Sequence, residues 1–246
     1  MVPLYYQLVE ILSEKIDGGE LQPGDPIPSE LQLQEQYGIS RTTVRQAIAR
    51  LVNAGKLLTA QGKGTFVAKP KVEEKVEAIT SLSQQLWARS IRPSTNILDL
   101  SVVIPSQKVA EALALTQDQK IIRLERLRLA DDEPLGVSVA YLPHHLMPML
   151  ADKGLTNESL YEMLETEFGF TLQEADEIVS ASGATDREAQ LLAVSIGAPV
   201  LLVTRTTYLA DGQPIEHSRT VFRADRYRYY ARLRGRDQLA IGTVAR

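Results

Sequence analysis

The sequence contains no cysteine, only three histidines and one tryptophan. Without cysteine, the chain can form no disulfide, thiolate zinc site or cysteine nucleophile. No run of about 18 apolar residues is present, so no membrane-spanning helix is expected. The start of the chain, Met1 to Tyr5, lacks the basic region and apolar core of a signal peptide. These absences predict a cytoplasmic protein with no membrane partner, no metal and no cofactor.

Negative charge is also missing from one part of the chain. The 246 residues carry a formal net charge of −4, but no Asp or Glu lies between Gln36 and Val72. The cations in that interval are Arg41, Arg45, Arg50, Lys56, Lys63, Lys69 and Lys71. An acidic molecule can therefore present one basic face, which suits a nucleic-acid partner. An ordinary solvated, charged helix would have the same composition.

Three helices and a hairpin are predicted at the start of the chain. The first helix follows Pro3, where apolar residues recur at helical spacing. The second opens at Ser29, and the third opens at Ser40 after a turn of about three residues. Residues 57–59 and 65–67 read as two short strands around a glycine-rich turn. This order predicts a winged helix-turn-helix.

The third helix carries cations in its first turns. Arg41 and Arg45 are four residues apart and share a face that differs from the apolar stripe. An arginine there can donate two hydrogen bonds to guanine, for about 1–3 kcal/mol of discrimination. The hydroxyls of Ser40 and Thr43 suit phosphate oxygens. A helix in the major groove and a hairpin on the flanking phosphates would follow, although Gly62 also suits a plain hairpin turn.

The rest of the chain contains a faint internal repeat. Residues 128–135 resemble residues 208–215, and each copy follows an apolar strand-like run. Short helices near 109–115 and 187–194 precede those runs. A helix, a strand, an Asp-rich turn and a strand, present twice, predict an antiparallel sheet with helices on it, an α+β fold. With only two copies, chance similarity is an alternative.

Residues 3–68 resemble the winged helix-turn-helix domain of the GntR superfamily of bacterial transcription regulators. The matching residues include Pro28 to Glu30, Ser40 to Arg45 and Gln61 to Val67. The resemblance implies that double-stranded operator DNA is a partner and that contacts come from the second helix, the third helix and the wing. We expect the contacts from Ser29, Glu30, Ser40, Arg41, Thr42, Thr43, Arg45, Arg50, Gln61, Gly62, Lys63 and Gly64.

Residues 76–230 resemble the effector-binding UTRA domain of the HutC subfamily. The motifs include Arg126-Leu127-Arg128, Ser159-Leu160-Tyr161 and Gly212 to Ser218. The resemblance implies a mixed α/β fold with a chorismate lyase-like antiparallel sheet, which binds a metabolite without turning it over. We expect a homodimer joined through this domain, by apolar strand surface such as Val200 to Val203, that reads a pseudo-palindromic operator.

The expected domain organisation places a winged helix-turn-helix domain at 1–68 and an effector-binding and dimerisation domain at 79–246. A polar segment at 69–78, with Pro70 and no apolar periodicity, reads as a linker or an extended connection. Anion capture in the second domain is expected to shift this connection and to change the spacing of the two DNA-binding domains.

The same resemblance implies a set of effector-binding residues: Arg126, Arg128, Ser138, Ser159, Tyr161, Glu216 and Phe222. Arg126 and Arg128 are two residues apart on a strand and share a face, where they could clamp phosphate or carboxylate. Pairing with acidic neighbours is the alternative. Members that sense amino-sugar phosphates carry glutamate in place of Ser138 and an aromatic hydroxyl in place of Phe222. This departure puts N-acetylglucosamine 6-phosphate in doubt and leaves another phosphosugar or a carboxylate open.

Other functions are less well supported by the residues. His144 and His145 are adjacent, so on a helix they diverge by about 100° and do not share a metal. No Ser-His-Asp order or phosphate-cradling loop is present, which leaves a chorismate lyase-like enzyme fused to a DNA-binding domain as the enzymatic alternative. An RNA-binding module would place stacking aromatics on the basic face, and none are there. The sequence predicts a ligand-responsive repressor of a metabolite uptake or catabolism operon.

Overall fold

The computed structural model describes residues 2–60, 64–75, 78–155 and 159–232. The chain divides into two compact units. The first contains Met1–Val72 together with Ala224–Arg226, and the second contains Glu73–Arg223 and Tyr227–Arg246. Within the described ranges, every helix is too short or too polar to cross a membrane.

The first unit is built from three helices and a hairpin. They are α1 (Leu4–Asp17), α2 (Glu30–Tyr37), α3 (Arg41–Asn53), β1 (Leu57–Ala60) and β2 (Gly64–Val67). Its core contains Leu8 and Leu12 of α1, Leu33 of α2 and Val44 of α3, all nearly inaccessible to solvent. Gly38 ends α2 with a φ of 64°, a conformation that glycine adopts without steric penalty. The short turn that follows leads directly into α3.

The second unit is organised around a six-stranded antiparallel sheet with the order β4-β5-β6-β9-β8-β7. Its strands are β4 (Pro93–Val103), β5 (Ile121–Ala130), β6 (Glu133–Pro143), β7 (Leu172–Gly183), β8 (Pro199–Leu209) and β9 (Pro214–Arg223). The helices are α4 (Leu82–Trp87), α5 (Gln107–Ala112), α6 (Pro148–Lys153), α7 (Leu160–Thr166) and α8 (Asp186–Leu192), with a 3-10 turn at His144–Leu146. A separate pair joins β3 (Val72–Lys75) to β10 (Tyr227–Tyr230).

The internal repeat is real and longer than the sequence indicates. The first copy runs β4-α5-β5-β6 and the second runs β7-α8-β8-β9. The two copies meet where β6 pairs with β9, so β4 and β7 occupy equivalent positions at opposite edges of the sheet. The predicted α+β fold with an antiparallel sheet is thus confirmed, and the strand that opens each copy is an addition to it.

Each face of the sheet has its own core. On one face, Leu127, Val137, Val221 and Leu202 pack with Ala189 and Leu192 of α8. On the other face, Leu124 and Ala140 pack with residues of α6 and α7. Because side chains alternate along a strand, Arg126 and Arg128 follow Leu124 on this second face. The apolar core therefore continues into a polar region of the same surface.

Three expectations about local structure need adjustment. The segment 69–78, expected to be a linker or an extended connection, contains β3, whose Glu73 peptide oxygen and Glu74 side chain accept hydrogen bonds within the second unit. The helix expected from Thr156 is described from Leu160, where the Ser159 hydroxyl caps it, and 156–158 lie outside the described residues. Val200 and Val203 are 1% and 5% exposed, so they are buried within one chain rather than presented as a surface for a second copy.

Candidate functional site

The helix-turn-helix geometry of the first unit comes from two capped helices. Ser29 and Gln32 form the reciprocal capping box of α2, as predicted. The Ser40 hydroxyl caps α3 by accepting a hydrogen bond from the Thr43 amide at 3.2 Å, and the two hydroxyl oxygens are 2.8 Å apart. The cap fixes the first turn of α3, which carries Thr42 on the solvent-exposed side.

The two arginines expected to read bases share one carboxylate. Arg41 Nε donates to Glu30 Oε2 at 3.0 Å, and Arg45 Nε lies 3.8 Å from Glu30 Oε1. Their side chains are 71% and 67% exposed, so both guanidiniums remain accessible. Exposed ion pairs of this kind contribute little to stability. Glu30 therefore orients the two guanidiniums, and both are exposed enough to exchange this carboxylate for another acceptor.

Arg50 has a different environment from Arg41 and Arg45. It lies in the last turn of α3, and its guanidinium carbon sits 5.5 Å from the centre of the Tyr6 ring in α1. Such cation–π contacts at exposed sites contribute about 0.5–1 kcal/mol. The structure therefore places this predicted contact residue at the end of α3 opposite to Ser40, where it also ties α3 to α1.

The hairpin that follows α3 has the strand register expected of a wing. Leu57 pairs with Val67, and Thr59 pairs with Thr65. The preceding chain adds a third extended segment, because Ile27 N donates to the Thr65 carbonyl at 2.9 Å. Gly64 opens β2 with a φ of 117°, a value that favours glycine. The predicted contact residues Gln61, Gly62 and Lys63 lie outside the described residues.

The second unit contains a cavity on the face of the sheet that carries Arg126. Sheet register brings its wall together: Arg126 pairs with Ser138, Ser138 with Thr220, and Thr220 with Val203. Directly paired residues point to the same face, so a row across four strands lines one surface. The lining residues are Glu74, Thr80, Ser81, Leu82, Gln85, Arg126, Arg128, Ser138, Leu160, Tyr161, Glu177, Val203, Arg205, Glu216, Ser218, Thr220, Phe222 and Tyr227.

Arg126 is the most unusual group in this wall. Arg126 is 4% exposed. Among the described residues, neither its Nε nor its Nη1 has a hydrogen-bond partner. Burial lowers the pKa of Arg126, against the opposing attraction of the Glu216 carboxylate. Nearby on the same strand, Arg128 Nη2 donates to Ser83 Oγ at 2.8 Å. Another arginine of the same strand, Arg123, does pair with acidic neighbours, since it contacts Asp99 and Glu125.

Glu216 forms the acidic side of the cavity. Its Oε2 accepts hydrogen bonds from the Tyr161 hydroxyl at 2.8 Å and from the Thr207 hydroxyl at 3.2 Å. Glu216 and Tyr161 are 3% and 7% exposed. Burial raises the pKa of Tyr161, and the adjacent carboxylate adds to this effect. The phenol therefore stays protonated and holds the carboxylate in one orientation.

Sequence reasoning missed a third arginine in the wall. Arg205 Nη2 contacts Glu74 at 2.8 Å and Glu177 at 2.6 Å, and its residue lies opposite Glu177 in the β7–β8 register. Burial raises the pKa of Glu74, against the attraction of Arg205. Gln85 donates to Glu74 at 3.0 Å, and the Tyr227 hydroxyl donates to it as well. An arginine just after the apolar run of β8 was the available signal. Glu177 lies on the neighbouring strand β7, and Glu74 lies on β3, 131 residues away in the chain.

The remaining predicted effector residues have different surroundings. Ser138 Oγ accepts from Thr220 Oγ1 at 3.1 Å in the cavity wall. The Phe222 ring stacks on Tyr227 with centroids 3.8 Å apart, and Gly136 leaves room for it, because a Cβ there would lie 2.8 Å from Phe222 Cδ1. Ser159 is absent from the lining of the described cavity, and its hydroxyl caps α7 by accepting from the Glu162 amide at 3.3 Å.

A helix-turn-helix unit with exposed arginines, followed in the same chain by a unit with a polar cavity, is the arrangement of a two-domain DNA-binding regulator. Residues 4–67 match bacterial regulatory proteins of the gntR family, and residues 88–228 match the UTRA domain. The chain therefore belongs to the GntR family of bacterial transcription regulators, in its UTRA-containing HutC subfamily.

Individual relatives span nearly the whole chain. The HTH-type transcriptional repressor NagR of Bacillus subtilis is 38% identical, over 93% of this chain and 93% of its own length. The mannosyl-D-glycerate transport/metabolism system repressor MngR of Escherichia coli is 30% identical, over 92% of this chain and 94% of its own length. The crystal structure of PhnF from Mycobacterium smegmatis is similar at a TM-score of 0.66 and 26% identity, covering 93% of this chain and 99% of that one.

Proposed function

We propose that the protein is a repressor of a metabolite uptake or catabolism operon, released from its operator when a small anion binds the cavity. The observation that carries this proposal is the buried Arg126 guanidinium, two of whose nitrogens have no hydrogen-bond partner among the described residues. A buried donor left without a partner costs about 1–3 kcal/mol, and more on a charged group. A phosphate or carboxylate offers oxygens in the geometry that a guanidinium recognises. An anion in the cavity would therefore remove that cost, and its binding would be strong.

The rest of the wall favours a ligand that also carries hydroxyls. The cavity is lined mainly by polar and charged side chains, which suits a small polar ligand. Ser218 and Thr220 offer hydroxyls, and the Glu216 carboxylate accepts hydrogen bonds. A phosphosugar meets all of these groups, and a polyhydroxylated carboxylate is the second candidate. The relative named for mannosyl-D-glycerate transport and metabolism supports sensing of a small sugar derivative.

A route from the cavity to the DNA-binding domain is available through β3. This strand directly continues the chain from the first unit and carries Glu74, which is 4% exposed and paired with Arg205. We propose that a bound anion competes with Glu74 for Arg205, so that β3 shifts and the segment 69–78 moves with it. A coupling free energy of about 1–3 kcal/mol would be ordinary for such a switch.

Operator recognition in this proposal uses two copies of the chain. Two helix-turn-helix domains related by a two-fold axis would read half-sites about 34–36 Å apart. In each copy Arg41 and Arg45 leave Glu30 for base edges, while Ser40 and Thr43 contact phosphate. The exposure of both arginines, 71% and 67%, supports this assignment.

Effector binding is tested with calorimetry on the full chain. Phosphosugars, the matching unphosphorylated sugars and sugar carboxylates are titrated into wild type, Arg126→Gln and Arg219→Gln. Arg219 lies on β9, 46% exposed and paired with Glu188, so it is a matched loss of one arginine outside the cavity. We expect one anionic class to bind wild type and Arg219→Gln and to lose at least tenfold in affinity with Arg126→Gln. Equal affinity for all three proteins would refute the anion site.

Operator reading is tested by binding measurements at several salt concentrations. Arg45→Ala should weaken binding to the operator more than binding to random duplex, because a base contact is lost. Lys56→Ala is the control, since Lys56 follows α3 and its ammonium pairs with Asp17 at 2.6 Å. Equal losses on both DNAs for Arg45→Ala would sink its role in base reading. Addition of the anion should then release wild type from the operator and leave the Arg126→Gln complex intact.

A further inference from the structure

The two edges of the sheet differ, although β4 and β7 hold equivalent positions in the two repeats. An edge strand presents a row of unpaired amide and carbonyl groups, and proteins protect it with charges, bulges, prolines or covering elements. Of the two described edges, β4 has these features along the strand, whereas β7 has them only in its first half.

The β4 edge is protected in four ways. It begins with Pro93, and its register shifts between Ile97 and Asp99. Asp99 places a charge in the middle of the strand, paired with Arg123 at 2.7 Å. The helices α4 and α6 pack against it. A second strand therefore finds an interrupted, charged and partly covered edge at β4.

The β7 edge lacks these protections over its second half. Its pairing with β8 is regular from Glu174 to Gly183, and every residue from Ile178 to Gly183 is exposed and uncharged. Ile178 is 69% exposed and Val179 is 38% exposed, and they point to opposite faces of the sheet. A long, regular, neutral and partly apolar edge is the kind that pairs with another strand.

We propose that β7 pairs antiparallel with β7 of a second copy of this chain, so that one sheet continues across the dimer. This rests on the homodimer of the proposed function and adds the surface that forms it. The charge pattern favours a second copy. Acidic residues occupy the first half of β7 at Glu174, Asp176 and Glu177, and the second half carries none. Antiparallel self-pairing sets each acidic half against a neutral half, and a parallel arrangement would set acid against acid.

Symmetry restricts the register of this pairing. A two-fold axis perpendicular to the sheet keeps each side chain on its own face, and directly opposite residues share a face. A residue must therefore lie opposite its own copy or opposite a residue an even number of positions away. The axis then passes midway between one residue of β7 and the same residue of the second copy. If that residue is Val179, Glu177 lies opposite Ala181, and Asp176 lies opposite Ser182.

The test uses the absence of native cysteine. Single cysteines are placed at Ile178, Val179 and Ser180 in the full chain and oxidised. On the axis, a residue and its copy have Cα atoms about 4.5–5.5 Å apart, within the range that a disulfide spans. One position away, the two copies are displaced by about 7 Å along the strands, beyond that range. We expect one position to cross-link at least tenfold faster than its neighbours. Ile97→Cys on β4 is the control and should stay monomeric on a non-reducing gel.

A charge substitution provides the second measurement. Ile178→Lys should convert the wild-type dimer to a monomer in light scattering, and Ile97→Lys should leave the dimer unchanged. Circular dichroism confirms that both variants fold. If wild type is dimeric but shows no cross-linking maximum and Ile178→Lys remains a dimer, the interface is wrong and the proposed function stands. If wild type is monomeric with and without operator, the interface and the dimeric part of the proposed function both fail.

Discussion

The two halves of the sheet share one order of elements but supply different chemistry to the cavity. In the first half, β5 contributes the guanidiniums of Arg126 and Arg128. In the second half, β9 contributes the Glu216 carboxylate and a row of hydroxyls, while Arg205 of β8 is held by two carboxylates. Topology sets where side chains meet, and the residues at alternate strand positions set what they bind. A duplicated framework can therefore hold an asymmetric ligand.

Arg126 and Arg205 show the difference between the two halves of the sheet most clearly, because both are largely buried but their partners differ. Burial lowers the pKa of Arg126. Burial also lowers the pKa of Arg205, but Tyr161 and the neighbouring carboxylates outweigh it and raise the pKa above its ordinary value. Among the described residues, two nitrogens of Arg126 have no hydrogen-bond partner, whereas Arg205 joins a network that includes β3. Arg126 is suited to bind a ligand, and Arg205 holds the ion-pair network that a bound anion would disturb.

The largest effect is expected from Arg205→Met. The substitution leaves Glu74 and Glu177 close together without their shared cation, and Glu74 is 4% exposed. Removing one partner of a buried ion pair destabilises a protein by about 3–5 kcal/mol. We expect a loss of this size in urea unfolding followed by the fluorescence of Trp87, the one tryptophan of the chain, which lies in the second unit.

The matched control for this loss is the triple variant Arg205→Met, Glu74→Gln, Glu177→Gln. It removes the cation together with both charges and should recover part of the lost free energy. If Arg205→Met alone unfolds at the wild-type urea concentration, the network does not stabilise the second unit, and the difference between the two arginines disappears.

A smaller effect of opposite sign is expected from Arg126→Met. Because two buried nitrogens of Arg126 have no hydrogen-bond partner in the described part of the chain, an apolar side chain of similar length should raise the free energy of unfolding of the ligand-free protein by about 1–3 kcal/mol. The same variant should lose the stabilisation that the anion gives wild type, which is about 2.7 kcal/mol at a hundredfold excess over Kd. A stability loss on Arg126→Met without ligand would mean that the guanidinium is already satisfied.

The sequence predicted one of these two arginines for a physical reason. Alternation along a strand places Arg126 and Arg128 on one face, and the family resemblance gave that face a role. Arg205 lies among threonines after the apolar run of β8, and its partners Glu74 and Glu177 lie on two other strands, β3 and β7. Only the sheet register, which depends on the whole fold, brings them together. Composition and spacing alone contain no such pairing.

Local signals were read more reliably than long-range ones. The caps at Ser29 and Ser40 are present as predicted, because capping depends on residues three positions apart. The repeat was recognised from its turns, but its opening strands were missed, since β4 and β7 carry different residues at equivalent places. In the expected dimer surface at Val200 to Val203, both valines are buried, because β8 is an interior strand of the sheet. An apolar run alone does not distinguish an interior strand from an exposed one.

The smallest effect on stability is expected at the N-terminal caps of α5 and α8, the equivalent helices of the two repeats. Thr185 and Glu188 form a reciprocal capping box on α8, whereas Ser106 caps α5 with one hydrogen bond of 3.4 Å to the Val109 amide. Thr185→Ala should therefore cost about 1–2 kcal/mol and Ser106→Ala about 0.5–1 kcal/mol of unfolding free energy. Thr185→Ser retains the acceptor and is the control. Equal losses for the two alanine variants would show that the reciprocal bond adds nothing.

The difference in unfolding free energy between Thr185→Ala and Ser106→Ala should depend on pH through Glu188. Burial raises the pKa of Glu188, but hydrogen bonds from Thr185 and the charge of Arg219 outweigh it, so the pKa lies below its ordinary value of 4.5. A depressed folded pKa gives stability that is present above the unfolded pKa and is lost as the pH falls through the folded one. Urea unfolding at neutral pH and well below 4.5 should therefore show the gap between Thr185→Ala and Ser106→Ala narrowing in acid. A gap that stays constant would place the stabilisation in the Thr185 hydroxyl alone, because that group does not titrate.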